Sequence, residues 1–210
     1  KVRGIFFKGN FFFPEIGLRK VYLEDSFDLA SINIFDPIYH DFCKNKLRRR
    51  YIKEGFVQID IGKTNYRFSK SKEFVDIVFN IKEGVRTFVS SIKLQGVPLS
   101  YQANLLKHMS TKLDMAFDPL LFEEDLFALL SQVKNLGHFN TKILNTKSDT
   151  IVKYSPDYSS VEILIDFEIG KQIRLKNSYF VGNQKTRLKL LNKEVDLKPG
   201  DLITPDKLKE

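Results

Sequence analysis

Two residues, His40 and Cys43, have side chains that commonly bind metal ions and lie close together in the sequence. They are three positions apart in a segment with helical spacing, so both would lie on one helix face and could share a metal ion. Two ligands without a nearby third make a weak metal site, and a packed helix face explains this pair better. Cys43 is the only cysteine among the 210 residues, which excludes an internal disulfide and a site built from several cysteines.

No pattern in the sequence is typical of an enzyme. The chain lacks a Gly-x-Ser-x-Gly nucleophile elbow, a phosphate-binding loop and a His-Glu-x-x-His zinc motif. Its serine, histidine and aspartate residues are not spaced as a catalytic triad, and His108 and His138 are isolated. Glu123 and Glu124 are explained by the favourable interaction of acidic residues with a helix N-terminus. We therefore expect no catalytic activity, no cofactor and no metal ion.

The chain is basic, with a formal net charge of +8 at pH 7, which favours acidic partners such as nucleic acid or an anionic membrane surface. The charge is uneven, because residues 1–84 carry +5, residues 85–170 carry −2 and residues 171–210 carry +5. A nucleic-acid-binding array would carry positive charge on every repeat, so nucleic acid is the less favoured partner. Arg48–Arg50 fall late in a predicted helix, where successive side chains point about 100° apart. We interpret them as a solvated helix face, with contact to lipid phosphates or acidic clients as the alternative.

The composition is that of a globular chain, with 42% hydrophobic and 29% charged residues. No run of about 18 consecutive apolar residues occurs, so we expect no transmembrane helix in this segment. The first residues lack the apolar region and cleavage site of a signal peptide. We interpret Lys1 and Glu210 as the boundaries of a fragment.

Three landmarks recur in the same order with a period of 82 to 87 residues. The first is an apolar strand that ends in glycine, at Gly9, Gly96 and Gly182. The second is the opening of a helix, at Asp36-Pro37, Asp118-Pro119 and Thr204-Pro205. The third is an alternating strand followed by glycine, at Gly84 and Gly170. One such match could arise by chance, but three in the same order indicate repeated modules.

The middle module shows the order of its elements most clearly. Its predicted elements are a strand at Arg86–Leu94, a helix at Tyr101–Leu113, a helix from Pro119 to Gly137, a strand at Phe139–Asn145 that resumes at Thr150–Tyr154, and a strand at Ser160–Ile169. Asp118 is placed to cap the second helix, and Gly137 to end it. The apolar face of the first helix is predicted to contain Leu105, Leu106, Met109 and Leu113.

The other two modules follow the same order. The first has a predicted strand at Val2–Lys8, helices at Glu15–Val21 and Pro37–Glu54, and strands at Phe56–Ile61 and Glu73–Ile81. The third is cut short, with a strand at Gln172–Val181, a helix near Lys185–Lys193 and a second helix beginning at Pro205. An insertion at Glu24–Ile34 is not explained by the repeat. We therefore predict an α+β fold of tandem β-α-α-β-β modules over residues 1–84, 85–170 and, in part, 171–210, each with a three-stranded mixed sheet and two helices packed on one face.

The order and period of these elements resemble tandem POTRA (polypeptide-transport-associated) domains of the outer-membrane assembly factor superfamily, of the BamA and TamA type. The residues that carry the resemblance are Ile81–Gly84 leading into Val89–Gly96, Arg48–Phe56, and Leu197–Leu208. The resemblance covers nearly the whole chain, and the order of the motifs makes it more specific than any one of them. The second module departs from the pattern, since His138 separates Gly137 from Phe139.

The resemblance implies a periplasmic localisation, as the soluble part of an outer-membrane protein, and a function in binding and guiding client polypeptides. The implied partners are unfolded outer-membrane or secreted polypeptides, accessory assembly proteins and the membrane barrel of the parent chain; no nucleic acid is expected. In the family fold the second strand of each module lies at a sheet edge, where unpaired backbone groups accept an extended peptide. The implied client-binding residues are Phe56, Val57, Gln58, Ile59, Asp60 and Ile61 in the first module, and Phe139, Asn140, Thr141, Lys142 and Ile143 in the second.

Two other hypotheses remain open from the sequence. A nucleic-acid-binding array of KH-like modules shares the strand–helix–helix–strand content, but it needs a Gly-x-x-Gly loop between the helices. Neither residues 113–118 nor residues 21–35 contain that loop. The third hypothesis is a single-pass division or secretion protein with POTRA-type modules.

Overall fold

The structure is a computed structural model that describes residues 1–24, 35–146, 148–182, 184–185, 187, 190–191, 194–195 and 197–208. Its internal contacts divide the chain into two compact units. The first consists of Lys1–Ser90, Leu113–Leu121 and Tyr154–Val161, and the second of Ser91–Lys112, Phe122–Lys153 and Glu162–Glu210.

The described residues contain two successive β-α-α-β-β modules, so the predicted α+β fold is confirmed. The first module contains β1 (Val2–Lys8), α1 (Glu15–Leu23), α2 (Pro37–Lys53), β2 (Asp60–Ile61), β3 (Asn65–Phe68) and β4 (Val75–Lys82). The second contains β5 (Phe88–Gln95), α3 (Leu99–His108), α4 (Pro119–Asn135), β6 (Lys142–Ile143), α5 (Ser148–Ile151), β7 (Val152–Tyr154) and β8 (Ser160–Glu168). Each sheet has four strands rather than three. In the first module the additional strand is β3, which lies beyond the predicted strand Phe56–Ile61, and in the second module the predicted strand is divided into β6 and β7.

In the first sheet β4 lies in the centre, with β1 parallel to it on one side and with β2 and β3 antiparallel to it on the other. Ile61 pairs with Ile81, and Asn65 pairs with Val78. The edge strand therefore has one residue more than β4 over this stretch, which is a β-bulge. Consequently β2 and β3 are two halves of one bulged edge strand.

The core of the first module lies between this sheet and its two helices. Alternating residues of β4 point to the helices, as expected for a strand with one face on the core. The fully buried members with the largest side chains are Leu18, Tyr22, Leu47, Tyr51, Ile59, Ile77 and Phe79. Phe7 and Phe79, which are paired in the parallel register, stack with ring centroids 5.7 Å apart.

The second sheet has the same order, β5-β8-β6, with β7 also paired to β8. The side chain of Asn145 spans the gap between β6 and β7. Its Nδ2 donates to the carbonyl of Leu164 at 2.7 Å, and its Oδ1 accepts from the amide of Asp166 at 3.0 Å. These bonds replace two backbone bonds that the broken strand cannot supply.

Matching caps begin the second helix of each module, and a glycine with a left-handed φ, Gly55 or Gly137, follows each helix. Asp36 accepts the amide of Ile38 at 2.9 Å before α2, and Asp118 accepts the amide of Leu120 at 3.0 Å before α4, as predicted. The helix α2 ends at Lys53 and is followed by Gly55, whose φ of 89° belongs to the left-handed region. The amide of Gly55 donates to Ile52 at 2.9 Å and that of Phe56 to Tyr51 at 3.1 Å, the bonding of a Schellman cap.

The first helix of the second module is shorter than predicted. It ends at His108 rather than Leu113, because the carboxylate of Asp125 accepts the amides of Ser110 and Thr111 at 2.6 and 2.7 Å. These bonds hold the chain away from helical geometry. Leu113, predicted on the apolar helix face, is therefore 56% exposed.

The third, partial module differs from its predicted elements. The strand predicted at Gln172–Val181 is reduced to an isolated bridge between Arg174 and Leu202. After Pro205 the described chain forms one turn of 3-10 helix, Asp206–Leu208. Most of the insertion predicted at Glu24–Ile34 and much of the helix predicted near Lys185–Lys193 lie outside the described residues. In the part of the chain that the structure describes, no helix is long and apolar enough to cross a membrane.

Candidate peptide-binding sheet edges

The predicted edge strand of the first module is correct at its end and wrong at its beginning. Only Asp60 and Ile61 are in a strand, whereas residues 56–59 form a turn. The Schellman cap directs the chain into this turn, where the amide of Val57 donates to Gly55 at 3.0 Å and that of Ile59 to Phe56 at 3.1 Å. These amides are therefore committed to local bonds. The apolar alternation that predicted a strand reflects burial of Ile59 and Ile61 instead.

The predicted edge of the second module shows the same difference. Phe139 and Asn140 form a turn, and only Lys142 and Ile143 are in a strand. Thr141 is buried, and both its amide and its hydroxyl donate to the carbonyl of His138, at 3.1 and 2.6 Å. Gln58, Asp60, Asn140 and Lys142 are exposed, and Phe139 is partly exposed. Client binding at these residues stays a prediction.

The longer half of the first edge, β3, was not predicted from the sequence. Tyr66 and Phe68 alternate with polar residues, which is a strand signal, but the segment is four residues long and is followed by the polar run Ser69–Lys72. Among the residues that the structure describes, β3 pairs with β4 alone.

The hydrogen bonds around β4 show which groups of β3 face away from the sheet. The amide of Val75 donates to Lys1 at 2.9 Å, on the β1 side, so Val75 does not bond its partner Phe68. On the other side, the amide of Ser69 donates to Phe74 at 2.8 Å. Because bonded and non-bonded pairs alternate in an antiparallel ladder, the backbone amides and carbonyls of Tyr66 and Phe68 point outward from the edge.

Aromatic side chains lie beside this edge. The ring of Phe35 packs edge-on against Tyr66 and Phe68, with centroid distances of 4.9 and 5.6 Å. Phe68 remains 55% exposed. Burial is the main cause that raises the pKa of the Tyr66 hydroxyl above its ordinary value. The edge thus combines outward backbone groups with apolar surface that an extended peptide can cover.

The edge of the second sheet offers a shorter version of the same geometry. The amide of Leu144 donates to Asp166 at 2.8 Å, so this pair is bonded and the preceding pair, Ile143 with Phe167, is not. The backbone groups of Ile143 therefore face outward. This edge is interrupted by α5, which leaves β6 two residues long.

The His40–Cys43 pair belongs to the core of the first module. Both side chains are fully buried, and Nδ1 of His40 lies 2.5 Å from the hydroxyl of Tyr22. The thiol of Cys43 donates to the carbonyl of Tyr22 at 3.6 Å. Burial lowers the pKa of His40 and raises the pKa of the Cys43 thiol. Over the described ranges no three His, Cys, Asp or Glu side chains are grouped to hold a metal ion.

The chain is similar to known proteins in sequence and in fold. No protein-family profile matches the chain. It is similar to the outer membrane protein assembly factor BamA of Buchnera aphidicola, with 21% identity over 175 residues, which are 82% of this chain and 27% of that protein. The chain thus spans about a quarter of the length of this curated relative.

Two solved structures match all or nearly all of the chain. The crystal structure of POTRA domains 3–5 of BamA from Haemophilus influenzae matches all of this chain and 82% of its own, with a TM-score of 0.54 and 18% identity. The N-terminal domain of Omp85 from Thermosynechococcus elongatus matches 99% of this chain and 81% of its own, with a TM-score of 0.43 and 12% identity. Of these two, the Haemophilus influenzae structure supports the assignment of the fold.

Proposed function

The chain has the fold of tandem POTRA domains, and we propose that it is the periplasmic client-binding region of an outer-membrane protein assembly factor. The BamA relative supports the assembly role, and the module order supports the same family. The proposed clients are unfolded outer-membrane or secreted polypeptides, and accessory assembly proteins are proposed as further partners. Module boundaries near Gly84 and Gly170 are part of this proposal.

The observation that carries the proposal is the edge at β3, which pairs with β4 alone in the part of the chain that the structure describes. Tyr66 and Phe68 direct their backbone groups away from β4, and their side chains with Phe35 form an apolar strip. An extended client strand can bond these groups as a further strand of the sheet. Such binding depends mainly on the backbone, so it accepts many client sequences, as an assembly factor requires. The added strand would lie beside β3, so the side chains of β4 that face the core would keep their contacts.

Replacing Phe68 by proline tests the proposal. Proline removes one outward amide, and it is tolerated at edge positions whose amide faces solvent. The matched control, Phe68→Ala, removes the same side chain and keeps the amide. The measurement is fluorescence anisotropy of a labelled peptide with alternating apolar and polar residues, the pattern of transmembrane strands.

We expect Phe68→Pro to weaken peptide binding about tenfold beyond the effect of Phe68→Ala, since a lost bond and a blocked register together amount to about 1.4 kcal/mol. Hydrogen exchange of β3 amides should slow when the peptide binds to the unmodified chain. Equal affinities for the proline and alanine variants, in folded protein, would overturn strand addition at this edge.

A further inference from the structure

A groove of about 590 Å³ lies between α1 and α2, on the helical layer of the first module. Its floor is apolar and consists of Phe13, Gly17, Leu18 and Val21. Its walls are basic and carry Lys20 from α1 with Lys46, Arg49, Arg50 and Lys53 from α2. Glu24 is the single acidic residue among these described lining residues. The groove therefore combines an apolar floor with two positively charged walls.

Three of these cations, Lys20, Arg49 and Lys53, have no ion-pair partner in the part of the chain that the structure describes. Arg50, in contrast, pairs with Glu54 at 3.3 Å and lies over the ring of Phe13 at 5.0 Å. The charges at Lys20, Arg49 and Lys53 repel one another, and an anion between them would relieve that repulsion.

The second module has a groove at the corresponding place between its two helices, which allows the effect of the fold to be separated from that of the basic residues. Its groove between α3 and α4, of about 380 Å³, is lined by Ser100, Asn104, His108, Gln132 and Asn135 among others, and by no lysine, arginine or carboxylate. Following the helix openers at Pro37 and Pro119, Arg49 corresponds to Ser131, and Lys53 corresponds to Asn135. A groove between the helices is thus common to both modules, whereas the positive charge is particular to the first.

We propose that the groove between α1 and α2 binds an acidic, amphipathic peptide segment of a partner protein. An apolar side chain of the segment lies on the floor against Leu18 and Val21, and its carboxylates face Lys20, Arg49 and Lys53. A membrane surface is a poorer fit, because it is flat, whereas these cations surround a recess with an apolar floor. This site goes beyond the proposed function, since it uses the helical layer and needs no added strand.

Gly17 gives the floor its depth. A methyl group added at Gly17 would meet only the ring of Pro14, at 3.8 Å, so the space above this residue is open. Glycine inside a helix costs about 1 kcal/mol relative to alanine. The sequence therefore retains a destabilising residue at the position where a long side chain such as leucine would fill the groove.

The test uses the purified chain and a short fluorescein-labelled peptide in which glutamates flank leucines, with a glutamine-for-glutamate peptide as its neutral counterpart. The main variant is Arg49→Glu with Lys53→Glu. Its matched control is Lys44→Glu with Arg48→Glu, which has the same spacing and charge change on α2 but lies outside the groove lining. Gly17→Leu fills the groove without changing charge, and Gly17→Ala serves as its control.

We expect the Arg49/Lys53 variant to weaken binding of the acidic peptide at least about tenfold and the Lys44/Arg48 variant less than about threefold. Gly17→Leu should weaken binding, whereas Phe68→Pro should leave it unchanged, which separates this site from the sheet edge. The neutral peptide should bind less tightly, and added salt should weaken the acidic peptide. Circular dichroism establishes that each variant is folded.

Several results would overturn the proposal. Equal weakening by the two double charge variants would show attraction by net charge alone. Unchanged binding in folded Gly17→Leu would place the peptide elsewhere. The surface would bind lipid instead if the chain bound vesicles containing phosphatidylglycerol through Arg49 and Lys53 but did not bind the acidic peptide.

Discussion

The backbone amide of Thr87 donates a hydrogen bond to the carbonyl of Gly55 at 2.9 Å. The same bond recurs one module later, from Ile173 to Gly137 at 3.0 Å. Each is accompanied by an isolated antiparallel bridge, between Phe88 and Ala116 in the first case and between Arg174 and Leu202 in the second. The end of one module's second helix is thus bonded in the same way to the segment that opens the next module.

Replacing Gly55 by alanine should disrupt this joint. Its φ is in the left-handed region, and an added Cβ would lie 2.7 Å from the carbonyl oxygen of Thr87. We expect a loss of about 1–3 kcal/mol in the free energy of unfolding, from backbone strain and the displaced contact. Hydrogen exchange of the α2 and β4 amides measures the free energy of unfolding of the first module separately from that of the rest of the chain.

Gly17→Ala is the matched control, because it adds the same methyl group at an ordinary helical φ with room for it. It should stabilise α1 by up to about 1 kcal/mol. Similar effects of the two substitutions would contradict the role given to Gly55.

The repeated glycines explain why the module order was predictable from the sequence. Gly84 and Gly170 occur where the chain passes close to another segment, with an added Cβ 3.2 Å from the Cβ of Gln58 and 3.1 Å from that of Asn140 respectively. Such positions restrict the residue type, so they recur in the sequence at the period of the fold. The caps at Asp36 and Asp118 recur for the same reason.

The sheet edges were harder to predict because local bonding competed with strand pairing. Residues 57–61 alternate in hydrophobicity, but the amides of Phe56, Val57 and Ile59 are used by the helix cap and the turn after it. The β-bulge between β2 and β3 then shifts the pairing by one residue, which breaks the alternation that marks a strand. The groove between α1 and α2 was missed because its charges come from two helices separated in sequence.

Arg86 should stabilise the first module through its planar guanidinium group. It lies over the rings of Phe12 and Phe88 at 4.9 and 5.1 Å, and its Nε donates to the carbonyl of Glu54 at 2.7 Å. Arg86→Lys keeps the charge but loses the stacking and the directed bond, so we expect a loss of about 1–2 kcal/mol. Arg48→Lys, on an exposed part of α2, is the control and should change stability by less than about 0.5 kcal/mol. Urea unfolding, monitored at the amides of the first module, measures the stabilities of the two variants. Equal stabilities of Arg86→Lys and Arg48→Lys would rule out the stabilising role of Arg86.

Asp125 should be necessary for the end of α3. It is 3% exposed, and its carboxylate is bonded to the amides of Ser110 and Thr111. Asp125→Ala leaves two amides without their acceptor, and we expect a loss of about 2–4 kcal/mol, with a smaller loss for Asp125→Asn, which keeps one acceptor. Thermal unfolding of both variants measures the difference. If alanine and asparagine were equally stable, the carboxylate bonds would not determine this stability.

The buried His40 should make the stability of the first module depend on pH. Burial lowers its pKa from the ordinary value of 6.5, while Asp36 and Asp41 oppose the shift. The unfolded chain therefore takes up a proton at a higher pH than the folded chain does. The stabilisation is complete above about pH 6.5 and is lost as the pH falls through the range between the unfolded and folded values.

Between pH 7 and pH 5 we expect the free energy of unfolding to decrease in the unmodified chain and to change less in His40→Gln, which cannot be protonated. His108→Gln, at an exposed histidine, is the control and should retain the decrease. Urea unfolding followed by hydrogen exchange of the α2 amides provides the measurement. If the pH dependence were undiminished in His40→Gln, the imidazole beside Tyr22 would contribute nothing to it. The effect would then come from other groups.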